Sequence, residues 1–247
     1  MPDTDTAGKP FAVFDIDGTL IRWQLFHAVV DQLAKAGHIP ADAYEKAHDA
    51  RMLWKRRTNE NSFREYEQTL VDVYVGSLRS LRVTDFQKAA DAVIAEHKDQ
   101  VYTFTRDFIR ELKAKDYLLF AISASQAEIV AMLAAYYGFD DYAASVYEQK
   151  DGYFTGNVDV IVRKKPELLT KLIEKHGATR RGSFGIGDTE SDISMLETVA
   201  HPIAFNPSQK LFQHAQRAGW DVVVERKNMI YKLESQNGAY QLAETNT

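Results

Sequence analysis

The feature that most constrains this chain is a short apolar run without helical spacing that recurs along it. Such runs stand at residues 11–16 (FAVFDI), 118–123 (LLFAIS), 183–187 (SFGIG), 202–205 (PIAF) and 221–224 (DVVV). Runs of this length with no polar alternation read as strands buried on both faces. Amphipathic stretches at 106–115, 128–137 and 166–175 lie between them, so strand and helix alternate as in an open, doubly wound, mostly parallel α/β sheet of Rossmann-like type. Sheets of this kind take ligands outside the carboxyl ends of their strands.

Residues 23–98 differ in kind. Leu25, Phe26, Val29, Val30 and Leu33, then Phe63, Tyr66, Leu70, Val73 and Tyr74, repeat at helical intervals. The expected organisation is therefore a core of residues 1–21 and 100–247 interrupted by an all-helical module over 22–99. Thr84 and Thr105 stand where N-caps belong, and Pro166 and Gly177 bracket a helix as first-turn proline and C-cap glycine. Hairpins are expected over 146–159, with a Lys-Asp-Gly turn, and over 228–243 around Asn237-Gly238.

Each core run ends on residues that carry chemistry. The first opens into Asp15-Ile16-Asp17-Gly18-Thr19-Leu20, which puts two carboxylates two residues apart at a strand end. Like charges so placed are costly unless a cation or a shared proton relieves them, and Gly18 lets the chain turn sharply. The second run ends at Ser123, with Ser125-x-x-Glu128 reading as a capping box for the next helix and leaving Ser123 for an anion. Arg163-Lys164-Lys165 precedes Pro166 and offers a cation where a phosphate needs neutralising; Lys165 is preferred, with Lys164 as the alternative. The third run leads into Gly187-Asp188-Thr189-Glu190-Ser191-Asp192. Capping from Thr189 accounts for Asp192 but not for Asp188, and hard oxygen donors at a strand end suit magnesium.

In this order, the four elements resemble the haloacid-dehalogenase (HAD) superfamily. Its members carry D-x-D-G-T, then Ser or Thr, then Lys, then a G-D-x-x-x-D segment. The early insertion and the short interval from Ser123 to Lys165 look like the phosphoserine-phosphatase-like branch, subfamily IB, with a helical C1-type cap. The resemblance implies a phosphatase in which Asp15 is the nucleophile and forms an aspartyl-phosphate, while Asp17 is the acid and then the base. Ser123 and Lys165 would hold the phosphoryl oxygens. Mg2+ would sit on Asp15, the backbone carbonyl of Asp17, and Asp188, with Asp192 in support. Gly18, Thr19 and Ala124 would line the substrate, and a cap of this kind closes over it. Gln24 falls where phosphoserine phosphatases carry a glutamate for the substrate's amino group; a neutral amide loses that charge pairing, so the resemblance does not carry phosphoserine itself as the substrate. In the helical module, Arg51, Lys55, Arg56 and Arg57 surround Trp54, and Arg56 is the expected substrate contact.

Composition removes other classes. The chain has no cysteine, which excludes disulfides, thiolate nucleophiles and cysteine-ligated metals. A formal net charge of -5 argues against a nucleic-acid coat. The polar first ten residues and the lack of a long apolar run point to a cytoplasmic protein without a membrane span. A small phosphorylated metabolite is the expected partner, and no oligomeric state follows. The same motifs would serve a phosphotransferase or phosphomutase. A non-catalytic regulator of this fold predicts loss of a motif carboxylate, and Asp15, Asp17, Asp188 and Asp192 are all present.

Overall fold

A computed structural model of the chain describes residues 8–56, 59, 62–79, 81–236 and 239–246. In chain order its strands are β1 (Pro10–Phe14), β2 (Leu118–Gln126), β3 (Asp141–Lys150), β4 (Tyr153–Asp159), β5 (Thr179–Gly187), β6 (His201–Phe205), β7 (Asp221–Arg226), β8 (Met229–Gln236) and β9 (Ala239–Asn246). The helices are α1 (Leu25–Lys35), α2 (Ala41–Lys55), α3 (Ser62–Leu78), α4 (Val83–His97), α5 (Thr103–Ala114), α6 (Ala127–Tyr137), α7 (Lys165–His176), α8 (Ile193–Leu196) and α9 (Gln209–Ala218). All five apolar runs lie on strands, the first only as far as Phe14. The chain groups into two compact units: residues up to Trp23, Asp99–Ser145 and from Val160 onward form one, and Gln24–Lys98 with Val146–Asp159 form the other.

In the first unit the strand order is β3-β2-β1-β5-β6-β7-β8-β9. Pairing is parallel from β3 across to β7 and antiparallel beyond it. From β1 the chain builds outward through β2 and β3, then resumes with β5 on the opposite side of β1. That reversal is the topological switch point at which α/β sheets bind ligands. Phe14 lies opposite both Ala121 and Ile186, so β1 and β5 end almost together while β2 runs on to Gln126. β1 is apolar throughout because both of its faces are covered. Phe11 and Val13 join Phe120, Ile122, Leu169 and Leu172 in one cluster, while Phe14 packs against Phe108 and Phe139. Each large side chain so buried contributes roughly 2 kcal/mol.

In the second unit, α1 to α4 bury Val29, Val30, Leu33, Tyr66, Leu70, Tyr74, Phe86 and Val93 at the expected helical spacing. The hairpin of the second half of β3 with β4 belongs to this unit as well. Phe154 meets Phe86 edge-on at 5.4 Å, Tyr147 meets Tyr74 at 5.7 Å, and the Val83 amide donates to the Gly152 carbonyl at 2.9 Å. Helical periodicity over 22–99 has no means of signalling this, because the hairpin joins through contacts distant in sequence.

Pro166 and Gly177 bracket α7 as expected, Gly177 being left-handed at φ 59°. The β8–β9 hairpin forms, and its Asn237-Gly238 tip lies outside the described residues. Three capping expectations are corrected. Helix α4 starts after Arg82 and α5 after Tyr102, which leaves Thr84 and Thr105 inside their first turns. Thr105 instead donates to the Thr19 carbonyl at 3.0 Å. The free amides of Thr103 and Phe104 are met by the Glu225 carboxylate, at 3.1 and 2.8 Å, a tertiary cap that favours negative charge at a helix N-terminus. At α6 the N-cap is Gln126, whose side chain makes no cap bond, so Ser125 and Glu128 do not form a capping box. β2 runs on to Gln126, and this carries Ser125 into the strand end.

Candidate active site

Three strand ends and one helix start build the site within the first unit. Asp15 follows β1, and its amide donates to the Ile186 carbonyl of β5 at 2.9 Å, which fixes it at the sheet's end. Lys165 begins α7. Its Nζ lies 2.7 Å from Asp15 Oδ1 and 2.6 Å from Asp192 Oδ1, and its side chain is only 2% exposed. Lys164 is exposed, so Lys165 is the one brought to the carboxylates. Ser145 fixes the approach to this helix: its hydroxyl donates to the Ala124 carbonyl at 2.7 Å and accepts the Ile161 amide at 3.3 Å.

Asp192 is fully buried. Its Oδ2 accepts the amides of Asp188 and Thr189 at 3.2 and 3.1 Å, completing a capping box with Thr189. A Cβ at Gly187 would lie 2.6 Å from Asp192 Cβ and Cγ, so glycine makes the room this carboxylate occupies. Gly18, at φ 80°, performs the same service for Asp188, whose Oδ2 would be 2.2 Å from an added Cβ. Thr19 is buried and directs its hydroxyl toward Asp188 Oδ1 at 3.4 Å. Oxygens of Asp15, Asp188 and Asp192 all lie within 4.8 Å of one another.

Asp17 is half-buried on the other side of the loop. Its Oδ2 accepts the Ser123 hydroxyl at 2.9 Å and the Ser125 hydroxyl at 2.8 Å, and Ser123 Oγ accepts the Ser125 amide at 3.0 Å. Residues 123 and 125 share a face of β2 by strand alternation. The ladder to β3 breaks between Ser123 and Gln126, an irregularity of the sort that re-aims side chains at sites. Sequence reading missed Ser125 as a partner of Asp17. The signal was the Ser-x-Ser pair at a strand end, and it was assigned to capping.

The electrostatics follow from four carboxylates around one buried ammonium. Burial pushes the Asp15 carboxyl up to about 7, with Asp192 and Asp17 adding to the rise and Lys165 opposing it. Asp188 is raised well above the usual carboxylate range by burial, then by Asp15 and Asp192. Burial works against the charge of Lys165, but Asp15 and Asp192 hold its pKa above the ordinary lysine value. An excess of buried negative charge built from hard oxygen donors is what a divalent cation relieves, so these residues fit a metal of the magnesium class.

The predicted residues outside this cluster are placed as follows. Ala124 is exposed at the end of β2. Gln24, in the second unit, occupies the N-cap position of α1 without a side-chain cap bond. Arg56 follows α2 and is exposed, and Arg57 lies outside the described residues. Trp54 is stacked on Tyr66 at 5.3 Å and Arg51 is bound to Asp31 at 3.3 Å. Both therefore have partners inside their own unit. Among the described residues no helix is long and apolar enough to cross a membrane.

Comparison with known proteins adds three findings. The sequence pattern of the haloacid dehalogenase-like hydrolases matches residues 12–197. The histidinol-phosphatase of Neisseria meningitidis is 25% identical over 240 residues, covering 87% of this chain and 98% of its own, and the phosphoserine phosphatase of Methanocaldococcus jannaschii is 24% identical, covering 90% and 94%. A solved structure of a phosphoserine phosphatase as its phospho-aspartyl intermediate analogue shares the fold, with a TM-score of 0.62 at 22% identity over 89% of this chain and 95% of that one.

Proposed function

The chain belongs to the haloacid dehalogenase-like hydrolases, and from that membership we propose that it is a magnesium-dependent phosphomonoester hydrolase acting through an aspartyl-phosphate on Asp15. The observation that carries this reading is the single buried ammonium of Lys165 held between Asp15 and Asp192 at the ends of β1 and β5, with Asp188 beside them.

In this reading a carboxylate oxygen of Asp15 attacks phosphorus as the bond to the leaving oxygen breaks. Asp17 gives that oxygen its proton. Asp17 then takes a proton from the water that attacks the aspartyl-phosphate, which releases inorganic phosphate and restores Asp15. Lys165 keeps Asp15 oriented and offsets charge on the phosphoryl group, and Ser123 donates to a phosphoryl oxygen. Asp192 positions rather than reacts, because one oxygen is bound to Lys165 and the other to loop amides. Asp15 and Asp188 would hold Mg2+, with Asp17 contributing its carbonyl and Asp192 in support. When bound, the ion neutralises charge on the phosphoryl oxygens and keeps the Asp15 carboxyl ionised.

The substrate proposed is a small phosphorylated metabolite. The names of the two relatives point toward phosphate esters of amino-acid-derived alcohols, and Gln24 and Arg56 are assigned to discrimination among them. The test is phosphate release from p-nitrophenyl phosphate, O-phosphoserine and histidinol phosphate, with magnesium or EDTA, beside Asp15→Asn. Turnover that needs magnesium and disappears in the variant supports the reading; turnover that persists in Asp15→Asn sinks it.

A further inference from the structure

Ser123 is asked to do two things with one proton. A serine hydroxyl has a single O–H, and here that donor is given to Asp17 Oδ2 at 2.9 Å. To donate to a phosphoryl oxygen, as the proposed mechanism requires, it must leave Asp17. A carboxyl at a loop that gives up a donor turns more readily about its side-chain torsions, and a misdirected acid transfers no proton to the leaving group.

Ser125 removes this conflict. Its hydroxyl donates to the same oxygen of Asp17 at 2.8 Å, and its amide donates to Ser123 Oγ at 3.0 Å. The amide bond uses a lone pair of Ser123 and leaves its proton available to turn. Ser125 is 6% exposed and Ser123 is fully buried, so water competes poorly for either donor. We propose that Ser125 is a positioning residue for the acid–base carboxyl of Asp17, keeping it aimed while Ser123 turns its hydroxyl to the phosphoryl group. The proposal rests on the phosphatase reading and on the roles it gives Asp17 and Ser123.

A loss of acid catalysis has a signature that a merely structural defect lacks. An alkyl alcohol must be protonated as it departs, whereas p-nitrophenol leaves as an anion. The experiment measures kcat/KM, which reports the step in which the leaving group departs, for p-nitrophenyl phosphate and for whichever of O-phosphoserine and glycerol phosphate wild type hydrolyses faster. With Ser125→Ala, kcat/KM for the alkyl ester falls at least about tenfold while that for the nitrophenyl ester changes less than about twofold, a part of the ~10²–10⁴ that general acids supply. Ser125→Thr, which keeps the hydroxyl, restores the wild-type ratio of the two substrates. An equal fall on both substrates with Ser125→Ala, whether from misfolding or from a general packing role, overturns the assignment, as does no change on either. Wild type inactive toward every ester would overturn the phosphatase reading itself, and Ser125 with it.

Discussion

In the strand-built unit the charges at the site are mostly negative: Asp15 and Asp192 bind one ammonium with Asp188 beside them, and burial raises the carboxyls of Asp15 and Asp188. In the helical unit the buried imidazole of His27 is 9% exposed against Tyr66, and burial aided by Arg51 and Lys55 lowers it to about 3. One region gathers three carboxylates around one lysine. The other keeps its buried ring neutral and bonds polar side chains to one another, as in the bonds from Tyr44 and Arg51 to Asp31. The difference separates a unit organised around a reaction from one organised around its own packing.

The sharpest way to break this comparison is to remove the nucleophile. Asp15→Asn lowers turnover by a factor on the order of 10³ or more, the scale at which losing a nucleophile registers, while circular dichroism stays unchanged. Next in size is Lys165→Ala. It leaves Asp15 and Asp192 buried without their cation and costs about 3 kcal/mol in a urea melt with EDTA; a change under about 1 kcal/mol would show that the cluster is not the buried ion network described.

The same contrast has a pH form. Asp15 is raised from 3.8 to about 7, so the metal-free native state holds more protons than the unfolded chain in that window, and its stability falls as pH rises from about 4 to 7. Magnesium opposes that fall. It therefore raises the melting temperature more at pH 7.5 than at pH 5, and at about 100 Kd adds near 2.7 kcal/mol of stability. His27 runs the other way. Its folded value of about 3 lies below 6.5, so the stability contributed by the neutral ring is present above pH 6.5 and is lost as pH falls toward 3. His27→Gln flattens that acid limb in thermal melts and leaves the magnesium response intact; equal loss of both would contradict the separation of the two units.

The site was legible where chemistry sits at strand ends. Asp15, Asp17, Lys165 and Asp188 each occupy the first residues after an apolar run or at a proline-marked helix start, so one-dimensional order already implied a shared edge. Ser125 was misassigned because a capping box and a strand-end Ser-x-Ser pair look alike until the last residue of β2 is known. Thr105 was misassigned because the cap of α5 comes from Glu225, some 120 residues away in the chain. In the second unit, periodicity revealed helical runs at 25–33 and 63–74, and the hairpin over 146–159 was expected too, but not its membership of this unit, which is written in the contacts of Phe154 and Tyr147.

The smallest effect expected is at Arg56, exposed after α2. Arg56→Ala shifts KM among anionic substrates by a few-fold, changes stability by less than about 0.5 kcal/mol, and leaves turnover of p-nitrophenyl phosphate as it was. A collapse of turnover there would erase the division between the reacting and the packing unit.

The central claim is that the reaction passes through Asp15, and rapid quenching tests it directly. Asp17→Asn mixed with p-nitrophenyl phosphate and magnesium loses the base for the second step but not the activated first one, so the phosphoryl-enzyme accumulates. Peptide mass spectrometry then finds the phosphoryl increment on Asp15. Phosphate release by wild type with no label on Asp15, or with label on another residue, would contradict the account.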